Sequence, residues 1–378
     1  MQLNIWDIDF KRNEIFMKKT LVLSGINLVD GGTLSVYQDC IKSLIEYGYT
    51  DKYNIIALVG KKKLFDNYES YLKIIEFPDS KKSWFKRLYY EYFYFKKLSY
   101  KLNPEIWISM HDMTPNIKPC KQYVYCHNSS QFSDMKFTEI KYGYKYYLFS
   151  KFYKYLYAIN IKRNTAVIVQ QEWIRKAFKS TYKIENIIVA RPSIPNIDKI
   201  TNKKTNENIF IYPSYPRYFK NFQVVCKAAE LLSKTSNEKF KVYITIDGSE
   251  NIYAKELVEK YGNCENIVFC GLLTRENLYE IYAKAKCLIF MSKLETFGMP
   301  ILEFKQTNKP IILADLAYAH ETIGNYDKVC FVEQDDFEEL SKKMFEVINT
   351  NTVKGYSKSI NYEKPFANNW KELFELIL

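Results

Sequence analysis

The order of segments along this chain predicts an α/β protein built on two doubly wound parallel sheets. Short apolar runs alternate with helical patterns along most of the sequence, as in parallel sheets covered by helices on both faces. The runs fall into two sets, one on each side of a linker read from the Arg191-Pro-Ser-Ile-Pro-Asn196 turn signals and the polar tract Asn202–Asn208. At 378 residues and 47% hydrophobic content, each half is long enough to bury its own core.

The first convincing strand is Thr20–Gly25. It follows a polar and aromatic leader, residues 1–19, in which Met17-Lys-Lys is expected to be the natural start of translation. Gly31-Gly32-Thr33 comes next and opens a helical pattern through Cys40, Leu44 and Ile45, so a strand, a glycine turn and a helix make a cradle for phosphate or sugar. The pattern is not G-x-G-x-x-G and gives a dinucleotide no support. Strands are expected near 54–59 and 73–77, then Ile106–Met110 ending in His111-Asp112, and Gln122–Cys126 ending in His127-Asn128. Ligands of doubly wound sheets bind beyond the carboxyl ends of strands, which puts both histidines at a ligand edge. Val167–Trp173 reads as the last strand and helix start of a first domain, 20–195. A second domain, 205–361, is expected to begin with the strand Asn208–Tyr212.

That second half centres on Cys287-Leu-Ile-Phe-Met-Ser-Lys-Leu-Glu-Thr-Phe-Gly-Met-Pro-Ile-Leu-Glu303. The apolar opening suits a buried strand, and Pro300 is tolerated in the first turn of the helix that follows. Gly298 falls at the tight reversal, where a missing Cβ lets backbone N–H groups approach an anion and the helix N-terminus favours negative charge. Two carboxylates beside a phosphate site make sense if Glu303, a turn into the helix, binds ribose hydroxyls and Glu295 faces the group attached to the phosphate.

Glu-x7-Glu enclosing Phe-Gly, with Asn266-Ile-Val-Phe-Cys-Gly271 before it and Lys309-Pro-Ile-Ile-Leu-Ala-Asp315 after it, resembles the signature of the retaining glycosyltransferases of family four, which have the GT-B fold of two Rossmann-like domains facing across a cleft. The likeness covers roughly residues 205–325. It implies transfer of a sugar, of the hexosyl kind, from a nucleotide-diphosphate donor to an acceptor hydroxyl with retention and without a metal or other cofactor. The expected setting is polysaccharide, O-antigen or capsule-type glycan assembly. By resemblance, Gly31 and Gly32 lie where acceptor and donor approach the backbone, and His127 contacts the transferred sugar. Asp247-Gly248 lies near the base, and Phe297, Gly298 and Met299 hold the donor with Glu303. The family grips the leaving diphosphate with Arg then Lys. Lys220 matches, whereas Tyr215 stands at the usual arginine position and Arg217 is displaced by two residues. His111 is a further acceptor-side candidate, His320 has no counterpart, and a final helix, about 362–378, is expected to return to the first domain.

A net charge of +12 and 17% aromatic residues point to an anionic partner. Lys81–Lys101 and Lys141–Arg163 are dense in both, and on a continuous helix Lys86, Lys97 and Lys101 fall within roughly 60° of one another, which suits an anionic membrane surface. The alternative is a pair of domain helices with buried aromatics. No stretch approaches eighteen uninterrupted apolar residues and no export signal is visible. Eight cysteines without a C-x-x-C pair suit a reducing cytoplasm, and the basic, aromatic surface suits a lipid-linked glycan at the inner face of a membrane. A nucleic-acid binder lacks any helix-turn-helix, RNP or zinc pattern. Two rivals share the fold: a non-catalytic binder of nucleotide sugar or glycolipid, and a sugar-nucleotide epimerase that needs no acceptor.

Overall fold

The computed structural model describes residues 18–132, 135, 137–194, 207–353, 355 and 360–378. Residues 1–17 of the expected leader, with Met17, lie outside these, as does the stretch 195–206 of the expected linker. The chain forms two compact units, one ending at Val124 and the other starting at Tyr125.

The first unit is a parallel sheet in the order β5-β4-β1-β2-β3. Its strands are β1 (Lys19–Gly25), β2 (Tyr53–Val59), β3 (Lys73–Glu76), β4 (Ile106–Ser109) and β5 (Lys121–Tyr125). β1 thus begins one residue before the expected Thr20. It is central, and Leu21, Val22 and Leu23 are fully buried, as an uninterrupted apolar run between two helical layers requires. Helices α1 (Gly31–Glu46), α2 (Tyr49–Lys52), α3 (Trp84–Tyr89) and α4 (Phe95–Leu102) connect the strands. Val22, Leu58, Phe77, Phe95 and Trp107 share one core cluster, each such side chain contributing about 1.5–3 kcal/mol by leaving water.

A π-helical turn, Tyr90–Tyr94, separates α3 from α4. It corrects the continuous helix expected over Lys81–Lys101. A π turn inserts a residue, which rotates everything after it by roughly 100°. Lys86 therefore does not keep the phase expected of it with Lys97 and Lys101; it pairs with Asp79 at 3.0 Å.

In the second unit strands and helices alternate in the expected order. α5 (Tyr144–Ala158) is followed by β6 (Ala166–Val169), α6 (Glu172–Tyr182) and β7 (Ile187–Ala190). A parallel six-stranded sheet then runs β8 (Asn208–Tyr212), α7 (Phe222–Thr235), β9 (Phe240–Ile244), α8 (Ile252–Tyr261), β10 (Ile267–Phe269), α9 (Arg275–Lys284), β11 (Cys287–Phe290), α10 (Met299–Lys305), β12 (Ile311–Ala314), α11 (Ala317–Ile323) and β13 (Val329–Val332), with α12 (Phe337–Thr350) after it. β14 (Phe366–Ala367) pairs in parallel with β7, which also pairs with β6, and α13 (Trp370–Ile377) ends the chain. Asn369 caps α13 by accepting from the Glu372 N–H at 3.0 Å, and Trp370, Leu373, Phe374 and Ile377 form its buried stripe.

The strand order of the six-stranded sheet is β10-β9-β8-β11-β12-β13. The chain moves outward from β8 in one direction and resumes at β11 on its other side. This reversal opens a crevice between the loops after β8 and β11, the usual place for a ligand in such sheets. Among the described residues no helix is long and apolar enough to cross a membrane.

Candidate active site

Two loops meet at the reversal. After β8 the chain passes Pro213–Pro216 and makes a 3-10 turn, Tyr218–Lys220, whose end is fixed by the Tyr212 hydroxyl donating to the Lys220 carbonyl. After β11, the Lys293 N–H donates to the Phe219 carbonyl at 2.8 Å and ties the second loop to the first. Lys220 Nζ then forms an ion pair with the Glu295 carboxylate, with 14% and 12% of the two side chains exposed. The expected diphosphate lysine and the expected sugar-facing glutamate are thus direct partners. Arg217 is exposed at the start of the 3-10 turn, and Tyr215 is exposed beside it.

Gly298 has φ +85°, and a Cβ there would stand 3.1 Å from Ile301 Cδ1, so the tight reversal expected at this glycine is present. Its backbone is held from one side. The Phe297 carbonyl accepts from Gln171 Nε2 at 3.4 Å and from the Thr322 hydroxyl. Gln171 also donates to Thr322 Oγ1 at 2.7 Å and to the Tyr318 carbonyl at 3.3 Å. Because the peptide is trans and planar, fixing that carbonyl aims the Gly298 N–H the opposite way. α10, which Pro300 helps to start, is seven residues long.

Glu303 is 7% exposed, on the inner side of α10. Burial raises its pKa above the usual carboxylate range, while the Arg275 guanidinium and the Tyr279 and Tyr282 hydroxyls act in the opposite sense. These three residues stand at i, i+4 and i+7 on α9, a spacing that puts them on one helix face and was the available signal for them. The Thr296 hydroxyl donates to the His127 carbonyl at 2.8 Å, which ties His127 to the Glu295–Gly298 loop within the second unit. The His127 ring lies 4.7 Å from that of Tyr125, with Gln170 Nε2 at 3.5 Å from its Nδ1.

After β9, Asp247 is exposed and its carboxylate accepts from Ser249 N at 2.8 Å; the Ser249 hydroxyl first, and this N–H second, lower its pKa. The Asp247 and Gly248 N–H groups both donate to the Glu250 carboxylate at 3.0 Å, so the loop carries its own anion. Glu321 caps α6 in a similar way: its carboxylate accepts from Glu172 N at 2.6 Å and Trp173 N at 3.2 Å. Burial nevertheless pushes its pKa up to about 7. Sequence patterns single out neither Glu321, Gln171 nor Thr322, because their partners lie on other elements.

The first unit, taken by itself, has its own reversal between β1 and β4. Gly31, at φ +68°, and Gly32 open α1 on the surface with no heavy atom near the place of an added Cβ. His111, after β4, is fully buried: Nδ1 is 2.6 Å from Asn27 Oδ1, and Nε2 is 3.0 Å from Glu91 and 3.4 Å from Ser24 Oγ. His320 pairs with Asp315 at 2.6 Å. Among the described residues, no group of three or more His, Cys, Asp or Glu side chains is arranged to hold a metal ion.

Comparison with known proteins bears on the stretch that holds the Lys220–Glu295 pair. Residues 193–364 match the family model described as glycosyl transferases group 1. Solved structures extend the likeness to most of the chain: a sucrose-phosphate synthase from Thermosynechococcus elongatus superposes with a TM-score of 0.64 at 13% identity, covering 88% of this chain and 90% of that one. WaaG, a glycosyltransferase involved in lipopolysaccharide biosynthesis, does so with a TM-score of 0.63 at 14% identity, covering 87% and 90%. The fold is GT-B. At such identities the likeness is one of fold. In sequence the GT-B chain is similar to the O-antigen chain mannosyltransferase RfbU of Salmonella typhimurium, 26% identical over 190 residues, which are 49% of this chain and 51% of the relative. It is also similar to the O-antigen chain mannosyltransferase C of Escherichia coli, 26% identical over 168 residues, 43% of each. The chain therefore spans about half or less of the length of the curated relatives it matches.

Proposed function

We propose that this protein is a retaining, metal-independent glycosyltransferase that moves a hexosyl group from a nucleotide-diphosphate sugar to an acceptor hydroxyl. The observation that carries it is the Lys220–Glu295 pair at the reversal of the six-stranded sheet. A single cation held by a carboxylate is poised for exchange. When a diphosphate enters, Lys220 turns to it, Arg217 adds a second cation from the exposed loop, and the N–H groups around Phe297, Gly298 and Met299 face the same charge. Glu295, relieved of its partner, is left facing the sugar.

The C1–oxygen bond to the phosphate breaks with its electron pair going to the phosphate oxygen. Charge develops positively on the sugar, where Glu295 and the dipoles around His127 stabilise it. The acceptor oxygen bonds to C1 on the face the diphosphate leaves, and its proton passes to a phosphate oxygen. Glu303 holds ribose hydroxyls, and Asp247-Gly248 lies by the base with Gly32 on the donor side. Gly31 and His111 serve the acceptor side, His111, enclosed by Asn27 and Glu91, as a positioning residue for the loop after β1 that carries Asn27. On this reading the domains are 20–195 and 205–361, with the final segment, about 362–378, returning to the first; the pairing of β14 with β7 supports that return.

The curated relatives act on O-antigen chains, which favours polysaccharide, O-antigen or capsule-type glycans, with a lipid-linked acceptor at the cytoplasmic face of a membrane. Lys81–Lys101 and Lys141–Arg163 support a peripheral membrane contact. In the first, Phe85 is 85% and Phe93 67% exposed, next to exposed lysines.

The test is incubation with a panel of nucleotide sugars, following nucleotide release with and without a lipid extract as acceptor. Acceptor-dependent release, an anomeric configuration matching the donor by NMR, and indifference to chelator are expected. Binding without release would make the chain a binding protein, and acceptor-independent release of free sugar would make it an epimerase-like enzyme.

A further inference from the structure

From Ile140 to Gln171 the chain has no Asp or Glu and six Lys or Arg. Within that acid-free stretch α5 shows an unusual outer face. At 100° per residue Tyr144, Leu148, Phe152 and Tyr155 fall within an arc of about 80°, and all four are exposed, from 45% for Leu148 to 61% for Tyr155. The opposite face is the one that packs: Ser150, Tyr153 and Tyr157 are buried. Lys151 and Lys154 are exposed alongside the aromatic strip, Lys154 Nζ lying 5.2 Å over the Tyr155 ring. Protein interfaces are depleted in lysine. A bilayer surface accepts both kinds of side chain at once, rings at the headgroup level and ammonium groups on lipid phosphates.

The same helix is joined by Gly143 to a 3-10 strap, Phe137–Tyr142, that is fastened to the candidate active site. The Tyr142 ring stacks on Tyr218 at 5.6 Å and 9°, and the Tyr218 hydroxyl donates to Glu139. Lys141 and Tyr142 both donate to the Glu256 carboxylate at 2.9 Å. Tyr218 begins the turn that ends at Lys220.

We infer that the outer face of α5 seats an anionic bilayer and that the strap carries this contact to the Lys220 loop, so that lipid binding orders the loop proposed to hold the donor diphosphate. The inference rests on the proposed function for its consequence, but its test does not use turnover.

The full chain is mixed with vesicles of phosphatidylcholine alone or with phosphatidylglycerol added, and co-sedimentation and amide hydrogen exchange are measured. Wild type is expected to sediment with phosphatidylglycerol vesicles, less so at high salt, and to show slowed exchange at Tyr218–Asn221 when bound. Leu148→Ser with Phe152→Ser and Tyr155→Ser should weaken binding about tenfold or more with the fold retained by circular dichroism. Tyr142→Ala should still sediment but lose the slowed exchange. Equal binding to phosphatidylcholine vesicles, or full binding by the triple variant, overturns the lipid assignment. So does a concentration-dependent dimer, seen by light scattering and abolished in the triple variant without vesicle binding, which assigns the face to a second copy. Binding with unchanged exchange at Tyr218–Asn221 overturns the coupling. A chain that meets every expectation yet releases no nucleotide refutes the proposed transferase alone.

Discussion

Lys220 and Glu295 form an ion pair across 75 residues of sequence, and they do so because β8 and β11 are neighbours at the point where the strand order reverses. Neither strand alone places a charge against the other. A two-sided lock results, in which the group proposed to bind the leaving diphosphate waits on the group proposed to face the sugar.

Removing either end of the donor grip is expected to stop transfer without unfolding the chain. Lys220→Ala and Glu303→Ala should each lower kcat about a hundred- to a thousandfold, the usual cost of losing an electrostatic contact to developing charge or a fixed substrate. Steady-state kinetics with circular dichroism checks both halves; full rates in both variants would sink the site assignment.

Gly298→Ala should hurt both stability and turnover. The left-handed φ of +85° costs a Cβ-bearing residue about 1–2 kcal/mol, and the new methyl would press on Ile301. Urea unfolding reads the first effect. A lower kcat reads the second, because the N–H that the turn presents moves with it.

Gln171→Leu tests the scaffold behind that turn. Gln171 is fully buried, and its loss would leave the Phe297 carbonyl to the Thr322 hydroxyl alone and the Trp173 indole N–H without the acceptor it has at 2.6 Å, at a cost of about 1–3 kcal/mol. If the carbonyl aims the Gly298 N–H, kcat falls while the binding of a nucleoside alone, measured by calorimetry, stays near wild type. An unchanged kcat removes Gln171 from the positioning role.

Glu91 makes a pH prediction. Burial raises its pKa from the ordinary 4.5 to about 8, with Arg87 acting the other way. The folded protein therefore binds this proton more tightly than the unfolded one. The carboxyl costs nothing below about pH 4.5, and its share of stability falls as pH rises towards 8, then levels off. Glu91→Gln should flatten that part of the curve in urea-unfolding midpoints taken between pH 5 and 9. His111 and Arg87 are the charged or titratable groups facing it. A variant whose midpoints track wild type across the whole window contradicts the buried-acid account.

Much of the architecture is legible without coordinates, because side-chain direction repeats every two residues in a strand and every 3.6 in a helix. The alternation of buried runs and helices, the reversal at Gly298 and the spacing of Glu295 and Glu303 are local and could be read from those periods. The π turn at Tyr90–Tyr94 escaped because the aromatic run is compatible with any helical phase, and only packing around Phe77 selects one. Gln171, Thr322 and Glu321 were silent for a related reason: each acts on a group from another element, and nothing local marks it. Sequence by itself determined which segments are strands and helices and which residues carry the signature, since those depend on neighbours along the chain. Only the tertiary structure decided that Lys220 rests on Glu295, that the Phe297 carbonyl is held by Gln171 and Thr322, and that Glu91 is sealed against His111. Such partnerships follow from strand order and burial, where one crossover brings distant residues into contact and excludes water from them.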